Sequence, residues 1–199
     1  MSTRLVILGL LRGRPLYGYE IKYLIEQIMG DWTNIAFGSI YYALGKLSEE
    51  SFVEKIGTEQ EGGRPSRHVY QITDAGRAEF VRLLREVWTE VERQYFTFDI
   101  GLTFMEALPI EEVKDHLRKR VEDLKQTIQY LDSHQAEQLA DEHVPQRMAA
   151  AVFGHHRAHM QAELDWTRDL LEGVEQGMYD AELDWIRSLL TWNGQDDHS

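Results

Sequence analysis

The chain opens on an apolar run, Thr3 to Leu11, with no polar face, the pattern of a short buried helix. After Arg14-Pro15-Leu16, the set Ile21, Leu24, Ile25 and Ile28 recurs at helical spacing and predicts a second helix. A polar gap containing Gly30, Asp31 and Asn34 separates it from a third, opened by Gly38 and Ser39 and defined by Ile40, Leu44 and Leu47. From Phe52 the period shortens. Val53 to Gly57 leads into the turn cluster Glu61-Gly62-Gly63-Arg64-Pro65-Ser66, and His68 to Thr73 alternates with β-branched and aromatic residues. This pattern predicts a two-stranded hairpin with a glycine-rich tip. Thr73-Asp74-Ala75-Gly76 then starts a fourth helix, whose apolar stripe runs Phe80, Leu83, Leu84, Val87, Trp88, Val91 and Tyr95.

Pro109 and Pro145 open two longer segments. Val113, Leu117, Val121, Leu124, Ile128 and Leu131 recur at intervals of four and three, and Met148, Val152, His155, His159, Ala162 and Trp166 do the same. Such spacing belongs to helices packed lengthwise, within one chain or between chains. Gly173 and Gly177 predict a break before a small extra helix, and residues 193–199 are polar and expected to fray. The expected fold is mainly α with a small β-hairpin: a winged helix-turn-helix followed by a long-helix dimerisation domain. The expected boundaries are 1–92 for the winged helix-turn-helix domain, 93–176 for the long-helix domain, and 177–199 for a short C-terminal helix and polar tail.

Composition narrows the function. The absence of cysteine excludes a disulfide framework, a zinc ribbon or a thiol nucleophile, and fits a reducing cytoplasm. The apolar stretch Leu5 to Leu11 is far short of the ~20 residues needed to span a bilayer, and the arginines after it argue against a signal peptide. Residues 1–88 carry eleven basic and eleven acidic residues, so the formal charge of −13 falls entirely on residues 89–199. The first half is therefore free to present a local basic surface to nucleic acid.

Gly38, Tyr42, Gly45, Lys46 and Glu49 face away from the apolar side of the third helix. Small residues, a cation and a polar ring on one face suit close approach to a DNA groove. Free N–H groups at Gly38 and Ser39 are expected to seat a phosphate. Arg64, Arg67 and His68 place positive charge at the hairpin, where a wing contacts the DNA backbone.

Leu5-Val6-Ile7-Leu8-Gly9-Leu10-Leu11 with Pro15-Leu16-Tyr17-Gly18-Tyr19-Glu20-Ile21 resembles the opening of the phenolic acid decarboxylase regulator (PadR) family. Gly38-Ser39-Ile40-Tyr41-Tyr42-Ala43-Leu44 and Lys46-Leu47 resemble its recognition helix. Gly63-Arg64-Pro65, Tyr70 and Thr73-Asp74-Ala75-Gly76 resemble its wing and the entry to its fourth helix. Residues 97 to about 172, ending in Glu163-Leu164-Asp165-Trp166, resemble more weakly the helical C-terminal domain of its longer, virulence-activator-like subclass. The resemblance implies a homodimeric winged-helix transcription factor, usually a repressor, sometimes released by a small aromatic or cationic ligand. Two positions depart from it: the family commonly has proline at Tyr42 and a long polar or basic residue at Gly45.

The resulting expectation is a homodimeric repressor of a palindromic double-stranded operator, in the cytoplasm, with no cofactor and no membrane contact. Tyr17, Tyr19, Gly38, Ser39, Tyr41, Tyr42, Lys46, Arg64, Arg67 and His68 would contact DNA. Leu117, Val121, Leu124, Ile128, Leu131, Val152, His159 and Trp166 would join two subunits. Trp88, Phe98 and Phe104 would line a pocket for a small aromatic effector, or else simply join the two halves as core. His155 and His159 have chelate spacing, but the expectation is a core or interface role and no metal. Enzyme motifs such as His-Glu-x-x-His or Gly-x-Ser-x-Gly are absent, so catalysis is not expected. The alternative is a ligand-sensing or protein-interaction module whose winged helix has lost specific DNA binding.

Overall fold

A computed structural model describes residues 3–29, 35–59, 67–91, 93 and 95–191. They fall into two compact units, one within Met1–Gln94 and the other within Tyr95–Ser199.

The first unit holds helices α1 (Thr3–Leu11), α2 (Gly18–Met29), α3 (Phe37–Glu49) and α4 (Asp74–Thr89), with strands β1 (Leu16–Tyr17), β2 (Val53–Glu59) and β3 (Arg67–Ile72). Its core brings together Ile7, Leu8 and Leu11 from α1, Ile21 and Ile25 from α2, and Ile40, Leu44 and Leu47 from α3, while Ile28 of the α2 set and Val87 and Trp88 of the α4 stripe stay exposed. Val53, Tyr70, Ile72 and Phe80 close it from the sheet and α4. Each fully buried aliphatic side chain contributes about 1.5–3 kcal/mol, which fixes the outward face of α3 by exclusion.

The hairpin predicted from alternation gains a third strand. β1 pairs antiparallel with β3, Leu16 opposite Tyr70 and Tyr17 opposite Val69, in a sheet of order β1-β3-β2. Two residues after a proline leave no period to read, so β1 is silent in sequence. The β2–β3 register shifts between Lys55 and Gly57, a bulge at Ile56. The tip, residues 60–66, lies outside the described residues, as do Gly30, Asp31, Asn34 and the polar tail.

Thr73 caps α4 by accepting the Gly76 N–H at 3.0 Å, while its own hydroxyl donates to the Ser51 carbonyl at 2.8 Å. Gly76 is obligatory here: a Cβ would stand 2.0 Å from the Phe52 carbonyl oxygen. The fourth helix is shorter than its apolar stripe. It ends at Thr89, whose hydroxyl donates back to the Arg85 carbonyl at 3.0 Å, and Glu90 is extended. Val91 and Tyr95 are therefore not helical.

The second unit contains α5 (Thr97–Thr103), a 3-10 turn at Met105–Ala107, α6 (Ile110–Leu139), α7 (Gln146–Glu175) and α8 (Asp180–Thr191). α6 and α7 form an antiparallel hairpin, since Arg118 reaches Glu175, Arg120 reaches Glu163 and Asp132 reaches Arg157. Leu117, Ile128 and Leu131, expected between subunits, are instead buried inside the single chain. Lengthwise packing across a short loop already covers them. On α7 the buried face is Phe153, Leu164, Thr167, Leu170 and Val174. The stripe Val152-His159-Trp166 sits one residue, about 100°, off that face, with His159 exposed and Trp166 41% exposed. Val121, Leu124 and Val152 are half-buried.

Candidate nucleic-acid interface and ligand cavity

With Ile40, Ala43, Leu44 and Leu47 buried, α3 turns Gly38, Tyr42, Gly45, Lys46 and Glu49 outward. Tyr42 is 69% exposed. A Cβ at Gly38 or Gly45 would meet nothing within 4 Å, so this face is open to close approach. Lys46 Nζ lies 2.7 Å from Glu49 Oε2, and that hydrogen-bonded pairing raises the lysine pKa. Ser39 differs from expectation. Its N–H donates to the Ala36 carbonyl at 3.0 Å and its hydroxyl to the same oxygen at 2.5 Å, so this N–H closes the first turn rather than facing a phosphate.

The start of α2 meets α3 where Gly18 lies against the ring of Tyr41. Tyr17 and Tyr19 stack with centroids 5.4 Å apart. Glu20 holds this corner, accepting the Tyr17 N–H at 2.8 Å and Arg14 Nη2 at 2.9 Å. Burial alone would lift the Glu20 carboxyl, but the Arg14 and Tyr17 hydrogen bonds outweigh it and hold the pKa below its ordinary value. Tyr41 is half-exposed and meets the Phe37 ring edge-on at 4.9 Å. On the wing, His68 is half-buried and edge-on to Tyr70 at 6.5 Å. The Arg67 backbone pairs with Glu59; its side chain and all of Arg64 lie outside the described residues.

Sequence reasoning passed over two cations of this unit. Lys22 lies 5.2 Å from the Phe37 ring centroid, and Lys55 lies 5.9 Å from that of Tyr70. Both contacts cross between elements, so no sequence spacing announces them.

In the second unit, a cavity of about 310 Å³ lies among α5, the 3-10 turn, α6 and α7. Its walls are mainly apolar, including Phe98, Leu102, Met105, Val113, Leu117 and Leu170, with Arg120 and His116 as the polar groups. The Arg120 guanidinium sits 4.4 Å from the Phe98 ring centroid and 2.7 Å from Glu163 Oε2. Thr167, fully buried, accepts from Arg120 Nε at 3.4 Å and donates to the Glu163 carbonyl at 2.7 Å. Of the three aromatics expected to line a pocket, Phe98 lines this one. Phe104 is 53% exposed and Trp88 84% exposed. Arg120 went unnoticed because its place on α6 looks like one more solvated charge.

Among the described residues no group of three or more His, Cys, Asp or Glu side chains is arranged to hold a metal ion. Among them, too, no helix is long and apolar enough to cross a membrane.

The family model described as "Transcriptional regulator PadR-like family" matches residues 7–82, the stretch that builds this winged helix. The chain belongs to the PadR-like family of transcriptional regulators. The negative transcriptional regulator PadR of Bacillus subtilis is 25% identical over 150 residues, spanning 75% of this chain and 81% of that protein. Its crystal structure in complex with operator DNA superposes with a TM-score of 0.68 at 23% identity, covering 86% of this chain and 98% of that one. Its complex with p-coumaric acid gives a TM-score of 0.69 at 21% identity, with the same shares covered. The virulence activator AphA of Vibrio cholerae gives 0.69 at 21% identity, covering 88% of this chain and 99% of that one. These structural likenesses establish the winged-helix fold with its helical C-terminal extension.

Proposed function

We propose that this PadR-like regulator is a homodimeric repressor that binds a palindromic operator and releases it on binding a small aromatic acid. The observation that carries the reading is the outward face of α3. Tyr42 and Lys46 share this exposed face with Gly38 and Gly45, which leave the helix surface bare. Gly18, flanked by the stacked Tyr17 and Tyr19, lies against the ring of Tyr41 on the same helix, α3. Such a face can enter a major groove and present a hydroxyl and an ammonium to base edges. Tyr17, Tyr19 and Tyr41 flank the backbone, and Arg64, Arg67 and His68 supply the wing contact. Residues 1–92 form the DNA-binding domain, 93–176 the dimerisation and effector domain, and 177–199 a terminal extension. No enzymatic step is part of this reading, and the cytoplasm is its compartment.

One recognition helix reads only a few base pairs, so two copies are needed. Because Leu117, Ile128 and Leu131 are covered within each chain, the pairing surface draws on Val121, Leu124, Val152 and Trp166. The effector site is the α5–α7 cavity, where Phe98 offers a ring face and Arg120 a cation for a carboxylate. The relative crystallised with p-coumaric acid supports an aromatic acid as the ligand class.

The ion pair between Lys46 and Glu49 favours the second reading, a ligand-sensing module without specific DNA binding. DNase protection of the intergenic region beside the gene, with and without p-coumaric acid, separates the two. The repressor reading expects a symmetric footprint that fades as the acid is added. Uniform cleavage at all protein concentrations would select the second reading.

A further inference from the structure

The outer face of α7 carries His155 and His159, one helical turn apart and both exposed. Neither occupies the core position that would explain it. The two rings meet edge to face with centroids 4.6 Å apart, and their Nε2 atoms approach to 3.1 Å. Two imidazole nitrogens bound to one ion at about 2.0–2.1 Å, subtending about 90–109° there, stand about 2.9–3.4 Å apart. The observed separation falls inside that window. We propose that His155 and His159 form a two-point chelating site for a divalent transition ion of imidazole preference: Cu2+, Ni2+ or Zn2+.

The chemistry follows from the helix. Residues i and i+4 share a face, and α7 holds them there through the buried Phe153 on the opposite side. The same spacing carries the two zinc ligands of His-Glu-x-x-His helices. Here His156 follows His155, no carboxylate base sits between the ligands, and the site binds rather than catalyses. Glu163, one turn beyond His159, is engaged by Arg120 at 2.7 Å and is not a ligand. With no third protein ligand among the described residues, water fills the remaining positions. Affinity should then rank Cu2+ above Ni2+ and Zn2+. This assignment takes His159 out of the packing role given to it by its periodicity, and it stands whether or not DNA is bound.

The test uses the full-length, untagged protein, stripped with a chelator and titrated with Cu2+ alone by calorimetry, alongside thermal unfolding. The rings converge only on a folded helix, so Cu2+ should raise Tm as well as bind. One Cu2+ per chain is expected, with His155→Ala and His159→Ala each losing about tenfold or more in affinity and abolishing the Tm rise. His143→Ala, in the α6–α7 loop, should behave as wild type. Alanine is the best helix former and both positions are exposed, so the variants retain the fold. Wild-type affinity in either alanine variant, or binding without a rise in Tm, would overturn the proposal as an adventitious ion only.

Discussion

The ring of Tyr41 rests against Gly18: a Cβ at residue 18 would stand 2.8 Å from Tyr41 Cε1 and 3.1 Å from its hydroxyl oxygen. The first residue of α2 thereby sets the position of a half-exposed side chain of α3. Gly18→Ala must displace that ring. Because the ring is the far end of a half-exposed side chain, it can swing away, and the stability cost should stay within about 1 kcal/mol. The effect should appear in DNA affinity instead, and it should be less than additive with Tyr41→Ala in a double-mutant cycle. Equal affinities for wild type and Gly18→Ala would remove Tyr41 from the interface.

Gly76→Ala should behave in the opposite way. There the added methyl meets a backbone carbonyl, that of Phe52, which cannot swing aside. A loss of about 2–4 kcal/mol is expected in urea unfolding, with the Thr73 cap disrupted. A variant within about 0.5 kcal/mol of wild type would show that α4 can shift as a unit.

Glu20 links this corner to pH. Its folded pKa lies below the ordinary 4.5, so its contribution is complete above about pH 4.5 and is lost as pH falls through the lower folded value. Glu20→Gln removes that component. Measured by urea titration from pH 6 down to about pH 3, the variant should lose less stability on acidification than wild type. Parallel curves would mean the Arg14 and Tyr17 contacts carry no net linkage.

Arg120 is the test of the cavity. p-Coumaric acid, followed by tryptophan fluorescence, should bind wild type and weaken about tenfold in Arg120→Lys, which keeps the charge but loses the planar fork. If the acid lowers operator affinity tenfold, the coupling is about 1.4 kcal/mol, and operator must weaken the acid by the same factor. Identical acid affinity with and without operator would separate the cavity from DNA control.

Much of the fold was legible because α2 and α3 announce their buried faces by period: Ile21 and Ile25, then Ile40, Leu44 and Leu47, are core as their spacing demands, whereas the α4 stripe is buried only at Phe80 and is exposed at Val87 and Trp88. What escaped was whatever depends on a partner far away in sequence. β1 has only two residues, and it exists because Leu16 and Tyr17 find Tyr70 and Val69. The α7 stripe was read one residue out of step because alanines and histidines blur the apolar signal where Phe153 and Thr167, not Val152 and Trp166, turn inward. In the candidate site, Tyr42 and Lys46 were accessible from helix phase alone. The capture of the Ser39 N–H by Ala36 and the place of Arg120 beside Phe98 were not, since both depend on local or tertiary geometry that residue type leaves open.

The central claim, that the α3 face reads DNA, is tested most directly by fluorescence anisotropy with an operator fragment and a scrambled fragment of equal length. Both are titrated with wild type and Tyr42→Ala from about 50 to 200 mM salt. Wild type should prefer the operator by about a thousandfold or more, with affinity falling steeply as salt rises. Tyr42→Ala should narrow that preference while leaving the salt slope unchanged. Equal binding of the two fragments by wild type would contradict the account.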